Sequence, residues 1–517
     1  MENIIQSPPE NVIYTDEVVF DGQTEQGVEL DYVLPDYYPE IFKILKCTLT
    51  PRIISYSTSG DLKLTLDGVV YIKVLYLAEG SPAVHCVDQR YTYSKTVDMG
   101  RKLTPTSAPT VSLSLKSDYC NCRAVSSRRI DVRGAVSCKI KAVAPTRYEL
   151  PALPEDIQIR TSEITCCGET LTAEKQITVR EEIETGAAGI GFILQSDAVA
   201  KITDLRVIAD KAVVKGTVTL SALYGLHNSE SSGCTDMERM SADIPVSVIL
   251  DVNGITDSHL CLPELTIMNL ELAPKTEGGI ISCELLVQCR IRAQKEEKIV
   301  IPTDMYSTRY ESDFATSLLK IGENPRVLSQ QLSLRSSLSC DSGEIRSVWD
   351  CRSELGNLIC RVNSDRELTL SGQICWQAVG MTTDNSPYFI EKQESFEQSV
   401  PAADLTNETA VDFGAAVTDT GFSIRPDGSL DLTAQLDFSG NLRNITPVEA
   451  ISAVTIYEDK PKERADDYAL RIYYSCGSLD CWSVAKRYNT TVEAIMRENE
   501  IEDEKAPLSG MVLIPTV

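Results

Sequence analysis

The sequence predicts a mainly β protein, with three tandem β-rich domains followed by a small α+β domain in the order strand, helix, helix, strand. Three observations lead to this prediction. Apolar and polar residues alternate along most of the chain, which is typical of strands with one buried face. A strand pair with a central glycine recurs three times. Helical spacing of apolar residues is clear only near the C-terminal end.

The composition indicates a folded protein and argues against several kinds of partner. The chain has 517 residues, of which 43% are hydrophobic and 24% charged, enough for roughly three or four domains with cores of their own. The net charge is −26 and no long Lys or Arg run occurs, so we expect no nucleic-acid partner. The start, "MENIIQSPPENVIY", does not resemble a signal peptide, and no apolar stretch is long enough to span a bilayer. We expect a cytoplasmic protein without membrane insertion.

The 17 cysteines do not have the spacing of a metal site. They are scattered singly or as the close pairs Cys120/Cys122 and Cys166/Cys167, without the CxxC pairs of structural zinc sites. We expect them to be reduced and buried as small apolar side chains on strands.

The sequence contains no recognisable catalytic motif. Its histidines stand in unrelated contexts, at His85, His227 and His259, and no HExxH, GxSxG or GxxxxGK[ST] motif occurs. "GAAGIG" at 186–191 has the wrong spacing for a dinucleotide fingerprint, and "CCGET" at 166–170 has no histidine near it. We predict no enzymatic activity, no metal and no cofactor.

The recurring strand pair sets the length of the repeat. It reads "GDLKLTLDGVVYIKVLY", "ADKAVVKGTVTLSALYG" and "SDRELTLSGQICWQAVG" in its three copies. The central glycines are Gly68, Gly216 and Gly372, which are 148 and 156 residues apart. A glycine inside an alternating run predicts a bulge or a close backbone approach.

Long amphipathic strands near the end of each repeat place the domain boundaries. They lie at 131–143, 282–294 and 429–443, and loops rich in Pro and acidic residues follow the first two. We predict domains at 1–158, 159–308 and 309–458, of which the third is divergent, and a C-terminal domain at 468–517. Within the first, residues 33–47 predict a short helix, since Ile41, Ile44 and Leu45 would share one helical face.

The C-terminal domain reads as two short helices between two strands. "LRIYYS" predicts a strand, "CWSVAKRY" a helix with Trp482 and Ala485 on one face, and "NTTVEAIMREN" a second helix with a capping box from Thr490 to Glu493. "LSGMVLIP" predicts a turn and a closing strand. In so small a domain Trp482 belongs more naturally to the core than to a binding surface, and Lys486 and Arg487 are expected on a solvated helix face.

The sequence resembles two known families. Residues 28–100, with "PDYYPEI" and "LDGVVYIKVLY", resemble the SPOCS domain of clostridial and bacillar sporulation proteins. The resemblance is weaker for residues 195–300 and weakest for residues 315–455. In the last copy Val379 and Gly380 replace the Leu-Tyr of the others. Residues from Trp482 to Pro515 resemble the LysM family.

The LysM resemblance also implies a departure from glycan binding. LysM domains usually carry Gly-Asp-Thr or Gly-Asp-Ser and Leu before the Trp, in a loop that forms one wall of the groove for N-acetylglucosamine chains. Here that loop consists of Ser478, Leu479, Asp480 and Cys481. The resemblance therefore implies a weakened glycan site, and Leu479 is better suited to a protein surface.

Three SPOCS-like units followed by one LysM is the layout of the SpoIVA-interacting protein family of Clostridia. This resemblance implies a structural adaptor of the endospore coat, located in the mother-cell cytoplasm at the forespore surface. Its implied partner is the spore-coat morphogenetic ATPase (SpoIVA-like) of the basement layer, with other coat proteins as further partners. The alternatives are a peptidoglycan-binding protein of the cell wall or cortex and, less well supported, a cell-wall hydrolase.

We expect the partner to bind in a groove between the loop before the first helix and the loop after the second. The groove residues are Ser478, Leu479, Asp480, Cys481, Trp482, Asn499, Glu500 and Ile501. Leu479 and Ile501 would be apolar anchors inside a polar rim, as interface hot spots often are. The helix face with Lys486 and Arg487 is the alternative docking surface.

Overall fold

The computed structural model describes most of the chain. The described residues are 12–59, 62–81, 83–100, 109–154, 157–226, 233–275, 278–323, 325–462, 470–477 and 479–516. Three sequence-based expectations, concerning Ser478, His227 and the domain start at residue 468, lie outside them.

The first unit is a sandwich of two three-stranded antiparallel sheets. Its strands are β1 (Val12–Val33), β2 (Ile41–Thr58), β3 (Lys63–Ala78), β4 (Val84–Asp98), β5 (Thr110–Ser126) and β6 (Arg129–Glu149). The sheets have the orders β2-β3-β4 and β1-β6-β5. They share one core, in which Ile72 and Val74 of β3 pack with Val132 and Val136 of β6.

The second unit repeats this plan. Its strands are β7 (Ile157–Cys167), β8 (Leu171–Glu184), β9 (Ile190–Ile208), β10 (Lys211–Leu226), β11 (Met237–Asp251), β12 (Leu260–Pro274), β13 (Ile280–Gln294) and β14 (Glu296–Ser307). The sheets are β9-β10-β11 and β8-β13-β12, and β7 pairs separately with β14. Strands β9, β10 and β11 therefore correspond to β2, β3 and β4.

The third unit has the same strand order, although its sequence is the most divergent. Its strands are β15 (Tyr310–Gly322), β16 (Arg326–Leu338), β17 (Ile345–Val362), β18 (Leu368–Thr382), β19 (Pro387–Val400), β20 (Thr409–Ile424) and β21 (Leu430–Pro461). The sheets are β17-β18-β19 and β16-β21-β20, and β15 pairs with the end of β21. The mainly β fold class is thus confirmed, while the domain boundaries near residues 158 and 308 stay a prediction.

The repeated glycines lie where other groups approach closely. A Cβ on Gly68 would be 2.3 Å from the ring of Tyr93, and one on Gly216 would be 2.7 Å from the carbonyl oxygen of Lys201. A Cβ on Gly372 would lie 2.8 Å from Leu358. Because these glycines have no side chain, neighbouring groups can pack against the central strand of each sheet, as the sequence predicts.

The short helix predicted within residues 33–47 is wrong. Residues from Ile41 onward form β2, which pairs with β3. The register shifts between Ile41 and Lys43 and again between Ile44 and Lys46. Each irregularity adds a residue to the alternation, and so a bulged strand produces the three-residue spacing that resembles a helical face.

The three units contact one another in every pairing. Lys73 of the first unit donates to the carbonyl of Ile193 in the second, at 2.6 Å. Arg239 of the second pairs with Asp350 of the third at 3.3 Å. Lys46 of the first pairs with Glu391 of the third at 2.5 Å. The β-rich body is therefore a closed arrangement of three sandwiches rather than a linear string.

Two apolar clusters hold this arrangement together. In one, the strand ends that pair outside the three-stranded sheets of each unit meet. This cluster contains Ile13 from β1, Ile301 from β14 and Leu319 from β15. In the other, Leu75, Leu223 and Val379 come together from β3, β10 and β18, the corresponding strands of the three units. In both clusters, strand segments that occupy the same position in the three units thus pack against one another.

The C-terminal domain has the predicted order of elements. These are β22 (Leu470–Cys476), α1 (Cys481–Tyr488), α2 (Val492–Glu498) and β23 (Ser509–Pro515). Strands β22 and β23 pair antiparallel, and both helices pack on one side of them around Val484, Ile495 and Val512. Neither of these helices, in the part of the chain that the structure describes, is long and apolar enough to cross a membrane.

Candidate functional site in the C-terminal domain

The loop before α1 is held by its own cap and by the β-rich body. Asp480 is the N-cap, and its carboxylate accepts hydrogen bonds from the backbone N–H and the hydroxyl of Ser483, at 2.9 and 2.5 Å. Arg160 of β7 pairs with the same carboxylate at 3.0 Å. Burial raises the pKa of Asp480, but the bonds from Ser483 and the charge of Arg160 outweigh it and lower the pKa.

Trp482 belongs to the core of the domain and also to its contact with the body. Its side chain is only 8% exposed, and its Nε1–H donates to Asp304 of β14 at 2.7 Å. The ring of Tyr306, also on β14, packs edge-on against the indole with centroids 5.1 Å apart. The expectation that Trp482 is mainly a core residue agrees with this burial, and the hydrogen bond explains how its polar atom is satisfied.

Lys486 is not the solvated residue that the sequence suggested. Its Nζ donates to the other carboxylate oxygen of Asp304 at 2.5 Å, and it lies 5.3 Å from the ring centroid of Phe314 on β15. Arg487, the next residue, is exposed and lies over the ring of Tyr488. The helix face proposed as the alternative docking surface is therefore partly covered by the protein itself.

Two further contacts fix the turn between the helices to the body. The Tyr306 hydroxyl donates to the carbonyl of Thr490 at 2.7 Å, and burial raises the pKa of this phenol. Lys462, just after β21, donates to Asn489 at 2.9 Å and to the carbonyl of Ser307 at 3.0 Å. The domain thus sits against the second unit through α1 and this turn.

Helix α2 begins one residue later than the sequence suggested. Its N-cap is Thr491, whose hydroxyl accepts from the N–H of Ala494 at 3.1 Å. The predicted cap, Thr490, is buried and donates instead to the carbonyl of Pro515 at 2.8 Å. The left-handed conformation of Asn489 (φ 55°), which ends α1, turns the chain so that Thr490 points to the closing strand.

The expected groove residues are close to the domain core rather than projecting from it. Leu479 and Ile501 are both half-buried and pack on that core. The carbonyl of Leu479 accepts from Leu508 at 2.8 Å, and the N–H of Ile501 donates to Met496 at 3.0 Å. Both side chains therefore contribute to the stability of the domain, which any binding test must take into account.

The other groove residues have distinct surroundings. Asn499 links α2 to β23, since its side chain donates to the carbonyl of Leu513 at 2.6 Å and accepts from the Leu513 N–H at 2.7 Å. Glu500 is exposed and has a positive φ of 52°. Cys481 is fully buried at the start of α1, and Ser478 lies outside the described residues. Cys481 and Asn499 are therefore supporting residues rather than surface residues.

Sequence reasoning missed an exposed apolar face on the two-stranded sheet, which we call the β-face. It consists of Leu470, Ile472, Tyr474 and Met511. Ile472 is 57% exposed and Tyr474 75%, and Tyr474 is paired directly with Met511. The alternation in "LRIYYS" could have revealed it, because Leu, Ile and the second Tyr fall on one side of a strand.

The described residues include no metal-binding cluster, and the described histidines lie apart from one another. No group of three His, Cys, Asp or Glu side chains among them could hold a metal ion. His85 is buried against the ring of Tyr76, and His259 bonds with Thr256 in its own turn. The two described histidines therefore serve separate local packing and turn contacts.

Comparisons with known proteins agree with this architecture. The family model of the SipL SPOCS domain matches residues 40–123 and 190–273, in the first and second units. The LysM domain model matches residues 480–514. No curated protein and no solved structure matches the chain.

The chain therefore contains two SPOCS domains and a C-terminal LysM domain, from two domain families that bind other molecules and are not catalytic. Within that class it is SipL-like, a sporulation-related protein whose LysM has the potential to bind glycan. The third unit shares the strand order of the two matched units.

Proposed function

We propose that this protein is a non-enzymatic structural adaptor in endospore coat assembly, which docks through its LysM domain onto the coat-basement ATPase (SpoIVA-like). The observation that carries the proposal is the environment of the loop before α1. Its Asp480 is committed to the helix cap and to Arg160 of the second unit. Its Leu479 stands where glycan-binding relatives expose a small polar loop. A loop whose polar residue is already engaged in these contacts is better suited to bind a protein surface than a sugar chain.

The proposed docking surface is the groove between the two loops. Leu479 and Ile501, half-buried on the same core, would present their outer atoms to the partner, and Glu500 would supply an acidic rim. The remaining groove residues, Ser478, Asp480, Cys481, Trp482 and Asn499, would hold the loops in place. The protein would act in the mother cell at the forespore surface, without nucleic-acid or membrane contacts.

Peptidoglycan binding is the second candidate, favoured by the LysM match itself. It predicts tight, saturable sedimentation of the full-length chain with purified cell wall. The adaptor proposal predicts weak sedimentation or none. Replacing Ser478 and Leu479 with Gly and Asp should then raise whatever glycan affinity remains.

The docking surface is tested with the full-length chain and the purified coat ATPase. Leu479→Ala and Ile501→Ala are each expected to raise the Kd about tenfold, because an apolar anchor of this size contributes roughly 1.5–3 kcal/mol when buried. Ile472→Ala, on the β-face, is the matched control, and its Kd should not change. Thermal unfolding of each variant separates lost binding from lost folding, since Leu479 and Ile501 also pack on the core.

Wild-type binding by both groove variants would overturn the proposed surface. If Ile472→Ala alone loses binding, the partner docks on the β-face. If all three bind like wild type, the contact lies outside both surfaces.

A further inference from the structure

Three cysteines from distant parts of the sequence meet at one edge of the first sandwich. Cys47 is on β2, and Cys120 and Cys122 are two residues apart on β5. Since alternate residues of a strand share a face, Cys120 and Cys122 point the same way. The Cys47 side chain packs with both of them on the core of the first sandwich, and their proximity raises the pKa of the Cys47 thiol. All three are half-buried thiols.

The strands that carry these thiols are neighbours at one edge of the sandwich. β2 and β5 are edge strands of the two facing sheets, and they contact each other. A Cβ on Gly134 of β6 would lie 2.5 Å from Leu49 of β2 and 3.4 Å from the Cα of Cys120. β2 and β5, the strands that carry Cys47 and Cys120, therefore lie close together beside Gly134 at this edge.

Among the described residues these three thiols do not form a group that could hold a metal ion. We propose that Cys47, Cys120 and Cys122 form a thiol oxidation site, in which a peroxide converts Cys120 and Cys47 into a disulfide that joins the two sheets of the first unit. Cys122 is the neighbouring thiol that can exchange with this bond.

The chemistry is a two-electron oxidation by hydrogen peroxide. The Cys120 thiolate attacks one peroxide oxygen, an S–O bond forms, the O–O bond breaks, and hydroxide leaves and is protonated to water. The Cys47 thiol then attacks the sulfur of this sulfenic acid, so that an S–S bond forms and the S–O bond breaks. The departing hydroxide takes the proton of Cys47 and leaves as the second water. Two thiols and one peroxide thus give one disulfide and two waters.

The surroundings favour Cys120 as the attacking thiol. The proximity of Cys47 and the nearby charge of Lys46 lower the pKa of Cys120, although burial opposes this. The proximity of the other two thiols and burial raise the pKa of Cys47. Burial raises the pKa of other thiols, such as Cys138, Cys283 and Cys289, to about 11. Those thiols are expected to be inert towards peroxide.

The site is tested on the full-length chain by peroxide treatment, alkylation of the remaining thiols and peptide mapping. Trypsin places Cys47 in residues 47–52 and both Cys120 and Cys122 in residues 117–123, so the predicted product is a disulfide between these two peptides. Cys120→Ser should slow the loss of the Cys47 thiol about tenfold or more, since the thiolate is the nucleophile. Cys360→Ser removes a half-buried thiol whose pKa burial raises to about 11, and should leave the rate unchanged.

Oxidation of Cys47 at the same rate as Cys360, or disulfides only between separate molecules, would overturn the proposal. A link from Cys47 to Cys122 in the wild-type chain, with no loss of rate in Cys120→Ser, would overturn the assignment of Cys120. If circular dichroism shows that Cys120→Ser does not fold, the presence or absence of the cross-link in the wild-type chain decides whether the proposal holds. This test does not depend on the coat partner.

Discussion

Asp304 makes two of the contacts that tie the LysM domain to the β-rich body. Its two carboxylate oxygens accept from Trp482 and Lys486, which lie one turn apart on α1. The sequence could predict that Trp482 is a core residue, because its spacing with Ala485 marks a buried helix face. It could not predict the contact with Asp304, because 178 residues separate the two and only the folded body brings them together.

Asp304→Ala is expected to loosen this attachment. Leaving the Trp482 Nε1–H and the Lys486 ammonium without their acceptor costs about 1–3 kcal/mol. Hydrogen exchange of the α1 amides should therefore accelerate about tenfold or more. Glu311→Ala, which removes an exposed carboxylate on neighbouring β15, is the control and should leave the exchange unchanged. Equal exchange in the two variants would mean that Asp304 does not hold the domain.

At the scale of elements, alternation predicts strands well but does not predict their irregularities. The strands of each sandwich follow from alternating residues and from the spacing of the glycines. The helix predicted at the start of β2 is wrong because the first two of the three irregularities in this strand turn alternation into a helix-like spacing. The start of α2 was misjudged by one residue because Thr490 and Thr491 both fit a cap locally, and only the closing strand decides which is used.

The cap of α1 gives a pH-dependent prediction. The pKa of Asp480 is lowered in the folded protein, so its contribution is present above the ordinary carboxyl pKa, about 4, and is lost as the pH falls through the folded value. Asp480→Ala should destabilise the LysM domain by about 1 kcal/mol at neutral pH.

Asp480→Asn is the matched variant, because Asn can cap a helix but does not titrate. Urea unfolding from neutral to acid pH should show the advantage of wild type over Asp480→Asn shrinking below about pH 4. A constant difference across that range would contradict the assigned role of the carboxylate.

At the scale of the whole molecule, polar residues from all three units meet in one network. Arg443 of the third unit donates to Asp16 of the first at 2.9 Å and to Gln294 of the second at 2.6 Å. Gln294 also donates to Asp16 at 3.1 Å. The tandem repeat was visible in the sequence, but its closed arrangement was not, because these contacts depend on side chains that local patterning does not mark.

Arg443→Ala should destabilise the body more than a surface change of the same kind. Asp16 and Gln294 would lose their partner in a largely buried site, at a cost of about 3 kcal/mol. Arg425→Ala removes an exposed pair with Asp431 that water screens, and should leave the stability nearly unchanged. The stability of each variant is measured from the midpoint of its urea unfolding. Equal midpoints for Arg443→Ala and Arg425→Ala would mean that the network does not hold the units together.

We propose that the LysM domain, and not the β-rich body, binds the coat ATPase. The most direct test compares the full-length chain with a chain that ends at Lys462, using calorimetric titration with the purified ATPase and circular dichroism to check the β-rich body. Without the LysM domain the affinity is expected to fall about a hundredfold or more, a loss of roughly 2.7 kcal/mol or more. An unchanged Kd for the shortened chain would contradict it and would assign the docking surface to the three sandwiches.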